Sequence, residues 1–208
     1  MKNFDYVKKD EYMPVKKGLI ELIKKVQDEV RDKFTFRYDF IGSASRNMIT
    51  CDPTTNTGYD FDIDIRVNDD DENYDAKEIR NIIRIAFDKH GFKHDYSFAE
   101  DSKRVLTIKF INHNESRIVH SCDIGIVHDG KDGQQYIHFN KFQNTYEWQY
   151  QPSDHYEVFE RAMAIKKKGK WSELREHYLF LKNKNLDRGK KSRHIYQEAI
   201  NNIYNRYF

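Results

Sequence analysis

The chain has 208 residues, which is enough for one domain or two small ones with a buried core. Charged residues make up 34% of it, but the formal net charge is only +2, so global charge identifies no class of partner. Two cysteines without a CxxC pair argue against a disulfide framework or a thiolate zinc site. No apolar run approaches the roughly 20 residues that span a bilayer. We therefore expect a soluble cytoplasmic protein without a membrane partner.

The first part of the chain predicts a helix, a strand, a loop and a second strand. Apolar residues at helical spacing predict a helix over 14–31. Alternating aromatic residues predict a strand over 34–40, and the polar, turn-forming stretch 44–58 predicts a loop. A strand over 60–67 and an acidic loop over 68–73 follow.

The remainder predicts more of a sheet and then a helical end. We expect a helix over 76–89 with Gly91 as its C-cap. Strands are predicted at 92–98, 104–111, 117–127 and 135–139. Beyond Pro152 the pattern is helical, with helices predicted over 155–168, 171–184 and 192–207. The expected fold is α+β, a mixed sheet flanked by helices over residues 1–152 with a helical region over 153–208.

The strand over 60–67 alternates carboxylates with large apolar residues. Side chains in a strand point to opposite faces with period two, so Asp60, Asp62 and Asp64 share one face. Neighbouring members of this set are about 6.5–7 Å apart along the strand. Like charges this close disfavour joint ionisation unless a cation compensates them, and hard cations prefer oxygen ligands. The pattern predicts a metal site.

A third acid lies in the apolar strand over 117–127. Asp123 would be costly to bury there unless it pairs with an arginine, caps a turn or binds a metal. Two acids on one strand and a third on its neighbour suit two cations about 3.5–4 Å apart, the spacing of two-metal phosphoryl chemistry.

A calcium loop is the competing interpretation of the acidic strand. Counting from Asp60, the sixth position is Ile65 where an EF-hand needs glycine, and the twelfth is Asp71 where it needs glutamate. The sequence therefore favours a strand over a calcium loop.

Three segments together resemble the nucleotidyltransferase superfamily that includes polymerase beta. They are Gly-Ser after a strand at 40–43, the Asp-x-Asp strand at 61–65 and the single-Asp strand at 122–124. The pattern is most similar to the branch with oligoadenylate synthetase, cyclic GMP-AMP synthase and their bacterial relatives. The chain departs from it after Gly-Ser, where Arg46 is kept but the usual Gly-Thr is absent.

The resemblance implies an enzyme that moves a nucleoside monophosphate from its triphosphate to an acceptor hydroxyl and releases pyrophosphate. It implies two Mg²⁺ ions, with Mn²⁺ as a substitute, and residues 1–152 as the catalytic domain. The implied catalytic and metal-binding residues are Asp62, Asp64 and Asp123, with Asp60/Asp62 as an alternative for the pair on one strand. The implied triphosphate-binding residues are Gly42, Ser43, Arg46 and Lys182.

The acceptor stays open between a nucleotide, RNA and a small molecule. Two other functions remain as alternatives: a non-catalytic binding module or antitoxin partner with the same fold, and RNA binding through the basic C-terminal helices. The helices carry interleaved aromatics at helical spacing, which are more often core residues than base-stacking platforms.

Overall fold

A computed structural model describes residues 2–69, 72–151, 155–187 and 189–208. Contacts divide the chain into two units. The larger unit comprises Tyr6–Thr50 and Thr55–Gln151, and the smaller comprises Met1–Asp5, Cys51–Thr54 and Pro152–Phe208. The smaller unit thus includes the predicted helical region and two short segments from earlier in the chain.

Nine strands and six α-helices are formed by the described residues. In chain order they are β1 (Asp5–Tyr6), α1 (Lys9–Val30), β2 (Thr35–Ile41), α2 (Gly42–Ser45), β3 (Thr50–Cys51), β4 (Tyr59–Asn68), α3 (Ala76–Gly91), β5 (Glu100–Asp101), β6 (Val105–Asn112), β7 (Arg117–Gly130), β8 (Gly133–Asn140), β9 (Thr145–Tyr150), α4 (His155–Lys167), α5 (Trp171–Lys184) and α6 (Ser192–Tyr207).

The larger unit is built on a seven-stranded mixed sheet. Five strands follow the order β2-β4-β7-β6-β5, and the β8–β9 hairpin is joined to β7 through β8. Strands β4 and β7 run parallel, whereas the other pairs are antiparallel. The predicted α+β class is therefore confirmed.

The apolar face of β4 forms the centre of the core. Phe61, Ile63 and Ile65 are at most 1% exposed, whereas the acids that alternate with them lie on the other, more open face. Helices α1 and α3 contact each other and bury most of their apolar residues, although Ile85 of α3 is exposed. The N-terminus of α3 is fixed by a capping box between Asp75 and Glu78, whose side chains bond each other's backbone N–H.

Two predictions in the larger unit are wrong. Residues 92–98 do not form a strand: a 3₁₀ turn over Phe92–His94 follows α3 directly. The alternating aromatics there reflect a stacked pair on the surface, since Phe92 and Phe98 are each about two-thirds exposed with ring centroids 6.1 Å apart. Gly91 is helical and not the C-cap, and the left-handed residue is Asp95 at φ 61°.

Other differences are extensions or omissions. Helix α1 begins at Lys9, five residues earlier than predicted, and includes Pro14. The predicted loop over 44–58 contains α2 in part and β3, and β9 was not predicted. Part of the acidic loop, residues 70 and 71, lies outside the described residues.

The smaller unit contains the three C-terminal helices. The bounds of α5 and α6 match the predicted ranges, and α4 ends one residue earlier than expected. Helix α6 buries Ile195, Ala199, Ile200 and Ile203. Within the described residues no helix has both the length and the apolar character that a membrane crossing requires.

Candidate active site

The parallel pairing of β4 and β7 places Asp62 directly opposite Asp123. Directly paired residues of adjacent strands point to the same face of a sheet. The two aspartates predicted from separate parts of the sequence are therefore neighbours on the open face. Apolar residues flank both of them, namely Phe61, Ile63, Cys122 and Ile124, all of which are buried.

Asp62 lies in the least favourable position for a negative charge. Burial first, and then the charges of Asp123 and Asp60, raise the pKa of its carboxyl to about 6. The Arg46 guanidinium acts in the opposite direction and lowers this pKa. A cation placed among these acids would relieve their mutual repulsion.

Asp123 is oriented by a hydroxyl on the next strand. Thr107 of β6 pairs with Asp123, and its Oγ1 donates a hydrogen bond of 2.6 Å to Asp123 Oδ1. Burial raises the pKa of Asp123, the Thr107 hydrogen bond lowers it, and the charge of Asp60 raises it. The carboxylate of Asp123 thus has one oxygen held by Thr107 and the other directed away from that bond.

Asp60 and Asp64 flank Asp62 on β4 but have different neighbours. Asp60 pairs with Ser121, whose hydroxyl donates a hydrogen bond to Asp60 Oδ1. Asp60 also raises the pKa of both Asp62 and Asp123 by its charge. Asp60 and Asp62 therefore both interact electrostatically with Asp123.

Asp64, on the other side of Asp62, has another set of neighbours. It pairs with Gly125 and Asp39, and a Cβ atom at Gly125 would lie 2.6 Å from Asp64 Oδ1. Burial raises the pKa of Asp64, Arg66 lowers it and Asp39 raises it. Among charged groups, Arg66 and Asp39 affect Asp64, and the charge of Asp64 itself contributes to the raised pKa of Asp62.

Gly42 brings the backbone against the acid cluster. Strand β2 ends at Ile41, which pairs with Asp62, and Gly42 follows in the left-handed region at φ 60°. A Cβ atom at Gly42 would lie 2.2 Å from Asp62 Oδ2. Both the dihedral angle and the close approach require glycine here.

The next residues present polar groups beside the same cluster. The Ser43 carbonyl accepts hydrogen bonds from the N–H groups of Arg46 and Met48 at 3.2 and 2.9 Å, which closes the turn. The Ser43 hydroxyl makes no hydrogen bond to any residue that the structure describes. Arg46 is half-buried and close enough to Asp62 to lower its pKa.

Lys182, the other predicted triphosphate ligand, belongs to α5 in the smaller unit. Its ammonium lies 4.3 Å from the centroid of the Phe4 ring and 5.7 Å from that of Tyr178. These are cation–π contacts within that unit.

The donor set suits a hard divalent cation in type and in number, since Asp60, Asp62 and Asp123 offer only oxygen atoms. In the described part of the chain, however, no three His, Cys, Asp or Glu side chains are gathered closely enough to hold an ion together. Without a cation the carboxylates repel each other, which favours their separation. Two of them, Asp60 and Asp123, also accept hydrogen bonds from the hydroxyls of Ser121 and Thr107.

Sequence reasoning missed Thr107 and Ser121. Ser121 is two residues before Asp123, so the alternation of β7 already placed it on the face of the acids. Thr107 is recognisable only from the register of β6 against β7, which the sequence pattern does not give.

The sequence matches no protein-family model and no curated protein. Solved structures, by contrast, share the fold. DncV from Vibrio cholerae in its GTP-bound form superposes with a TM-score of 0.61 at 16% identity over 95% of this chain and 52% of that one. DncV from Escherichia coli, bound to 3'-deoxy GTP, gives a TM-score of 0.59 at 17% identity, covering 95% of this chain and 54% of that one.

CdnE, a cyclic dinucleotide synthase from Elizabethkingia meningoseptica solved with GTP and Apcpp, gives a TM-score of 0.54 at 17% identity, covering 91% of this chain and 70% of that one. The chain spans about half the length of the DncV structures that it matches. The resemblance drawn from the sequence is confirmed at the level of the fold: this chain has the nucleotidyltransferase fold of the cyclic dinucleotide synthases.

Proposed function

We propose that this protein is a metal-dependent nucleotidyltransferase, which transfers a nucleoside monophosphate from its triphosphate to an acceptor hydroxyl and releases pyrophosphate. The observation that carries the proposal is the pairing of Asp62 with Asp123 beside Gly42 on the open face of a nucleotidyltransferase-type sheet. Buried carboxylates with raised pKa values in such a cluster are typical of functional sites.

Asp62 and Asp123 are proposed as ligands of Mg²⁺, with Mn²⁺ as a substitute. For the third ligand we favour Asp60 over Asp64, since its charge acts on both Asp62 and Asp123. Bound divalent cations would activate the attacking hydroxyl and stabilise the charge of the leaving pyrophosphate. The chain's own contribution is to hold the carboxylates in place through Ser121 and Thr107.

The acceptor's proton needs a base, and Asp123 is suited to accept it. Thr107 donates to Oδ1 of that carboxylate, and the remaining lone pairs of the two oxygens are available to a metal ion and to the proton. Burial raises the pKa of Asp123 in the metal-free protein, whereas a bound cation would lower it, so the role of Asp123 as base rests on its position in the cluster.

Four residues are proposed to bind the triphosphate. Gly42 allows the close approach of backbone to phosphate, and the unengaged hydroxyl of Ser43 donates to a phosphate oxygen. Arg46 supplies positive charge beside the acids. Lys182 retains the role inferred from the resemblance, as a triphosphate ligand from the helical region.

The structures that share the fold support a choice of which acceptor to test first. Their names identify cyclic dinucleotide synthases, so we propose a nucleotide as the first acceptor to test, before RNA or a small molecule. RNA binding through aromatic stacking has less support, because Tyr178 and Tyr196 are only 4% and 8% exposed.

The decisive experiment incubates the protein with each nucleoside triphosphate, labelled at the α-phosphate, and with Mg²⁺ or Mn²⁺. Pyrophosphate release and the labelled products are then measured. Asp62→Asn is expected to abolish turnover with the fold retained, whereas Asp28→Asn, the same charge change at an exposed position of α1, is expected to leave it unchanged. Turnover that survives Asp62→Asn, or no turnover with any triphosphate, would favour a non-catalytic binding module.

A further inference from the structure

Phe4, near the start of the chain, lies against helix α5 beside Lys182. The Phe4 N–H donates to Asn183 Oδ1 at 2.6 Å, and Asn183 Nδ2 donates back to the Phe4 carbonyl at 3.0 Å. One side chain of α5 thus bonds both backbone polar groups of Phe4, as a residue of a neighbouring strand would. Phe4 and α5 both belong to the smaller unit.

A second contact fixes the chain just before Phe4. The Asn3 N–H donates to Asp52 Oδ2 at 3.0 Å, and Asp52 is a buried residue of the same unit. The other oxygen of Asp52 accepts a hydrogen bond from the Thr54 N–H at 3.0 Å, so this carboxylate is itself held in place. The backbone of Phe4 is therefore fixed from two directions.

The ring of Phe4 is one of two aromatic rings that contact the Lys182 ammonium. The ammonium lies 4.3 Å from the centroid of the Phe4 ring and 5.7 Å from that of Tyr178, one turn earlier in α5. Tyr178 is 4% exposed, and its ring packs edge-on against Tyr196 of α6 with the centroids 6.0 Å apart. Both rings are thus held by the fold. They restrict a lysine side chain that otherwise has many rotamers.

We propose that Phe4 is a positioning residue, which holds the Lys182 ammonium in the orientation that engages a phosphate group. This inference rests on the triphosphate-binding role proposed above for Lys182 and adds the residue that orients it. An ammonium carries three donors, and its contact with a ring uses only the side that faces the ring. Because ordering a long side chain before binding lowers the entropic cost of binding, the ring increases the affinity for triphosphate.

The test is calorimetric binding of α,β-methylene ATP and α,β-methylene GTP, each with Mg²⁺, to the full chain. These analogues do not release pyrophosphate, so the measurement needs no turnover. Phe4→Leu removes the aromatic ring and keeps an apolar side chain, and it should weaken binding of the tighter analogue about three- to tenfold. Phe4→Tyr keeps the ring and should keep the affinity. Phe159→Leu, the same change at an exposed position of α4, is the matched control and should have no effect.

A double-mutant cycle separates an effect through Lys182 from a general loss of structure. Lys182→Met should weaken binding, and Phe4→Leu added to it should cause no further loss, because the ring then has no ammonium to hold. Equal losses from Phe4→Leu with and without Lys182, or equal losses from Phe4→Leu and Phe4→Tyr, would overturn the proposal.

The remaining outcomes distinguish this inference from the proposed function. Wild-type binding by Lys182→Met would remove Lys182 from the triphosphate site, and the positioning role of Phe4 with it. No binding of either analogue to the wild type would have the same consequence. If the cycle shows the expected coupling but no triphosphate is turned over, the proposed enzymatic activity is wrong and the role of Phe4 in binding is supported.

Discussion

Asp60 and Asp64 are chemically identical and flank Asp62 on one strand, so their neighbours must distinguish their roles. Asp60 accepts a hydrogen bond from Ser121 and its charge acts on Asp123, whereas Asp64 lies against Gly125 and is affected by the charge of Arg66. We expect Asp60→Asn to lower kcat about 100-fold or more, as removal of one group that stabilises transition-state charge does.

Asp64→Asn is the comparison and is expected to cost less than about tenfold, because the residue is outside the proposed ligand set. The measurement is pyrophosphate release at saturating triphosphate and metal. If the two substitutions exchanged these effects, Asp64 would be the third ligand, as the resemblance first implied.

Thr107 is expected to act through Asp123 as a positioning residue. Its hydrogen bond of 2.6 Å fixes one carboxylate oxygen, and loss of such a partner lowers metal affinity by about 10–100-fold. Thr107→Val keeps the shape and removes the hydroxyl, so Mn²⁺ affinity should fall by that amount. Thr107→Ser restores the hydroxyl and should restore the affinity. Equal Mn²⁺ binding by both variants would show that the hydroxyl has no such role.

At the scale of secondary structure, one buried arginine of α3 bonds directly to residues in or next to β5, β6 and β8. Arg80 is 0% exposed, and its Nε and Nη2 donate to Asp101 Oδ1 at 2.9 and 2.6 Å. It also donates to the backbone carbonyls of Ser102, Val105 and Ile137. The Tyr146 hydroxyl bonds the other oxygen of Asp101 at 2.8 Å. This network links β5, β6, β8 and β9 to one helix.

Arg80→Met should therefore lower the free energy of unfolding by about 3–5 kcal/mol, since it leaves the Asp101 carboxylate without its cation and several carbonyls without donors. Lys77→Met, an exposed position of the same helix, should change it by less than about 0.5 kcal/mol. Urea unfolding of both variants provides the comparison. A small loss for Arg80→Met would mean that the network contributes little to stability.

These elements also show what the sequence can predict. The alternation over 60–67 identified β4 and its acid face, because period two is a direct consequence of strand geometry. Arg80 was not foreseen, since a charged residue in a helix reads as exposed until its partners on distant strands are known. Thr107 depends on strand register in the same way. The strand predicted over 92–98 is wrong because Phe92 and Phe98 form a stacked pair on the surface and do not line one face of a sheet.

For the whole molecule, the groups buried around β7 predict how stability depends on pH. His120 is 4% exposed and stacked on Phe110, and its Nε2 lies 2.9 Å from the Tyr96 hydroxyl. Burial lowers its pKa from 6.5 to about 4. The unfolded chain therefore binds a proton at this residue more readily than the folded chain does. The contribution of neutral His120 to the free energy of unfolding is complete above pH 6.5 and is lost as the pH falls toward 4.

The protonation of Asp62 affects stability in the opposite direction over nearly the same pH range. Its pKa is raised from 3.8 to about 6, so the folded protein holds this proton more tightly, and its contribution to stability falls as the pH rises through 6. The two groups partly cancel in the metal-free protein. A shallow dependence of stability on pH in the wild type is therefore compatible with two large and opposed shifts.

Replacing one group at a time separates them. In EDTA, His120→Phe keeps the ring contact and removes the titrating group. When the pH falls from 6.5 to 4, the free energy of unfolding of this variant should therefore decrease by about 3 kcal/mol less than that of the wild type. Asp62→Asn removes the opposing shift, so its stability should fall more steeply on acidification than that of the wild type. Chemical unfolding at a series of pH values measures both slopes. Parallel curves for all three proteins would contradict the burial of these groups, and with it the desolvated acid cluster on which the proposed chemistry rests.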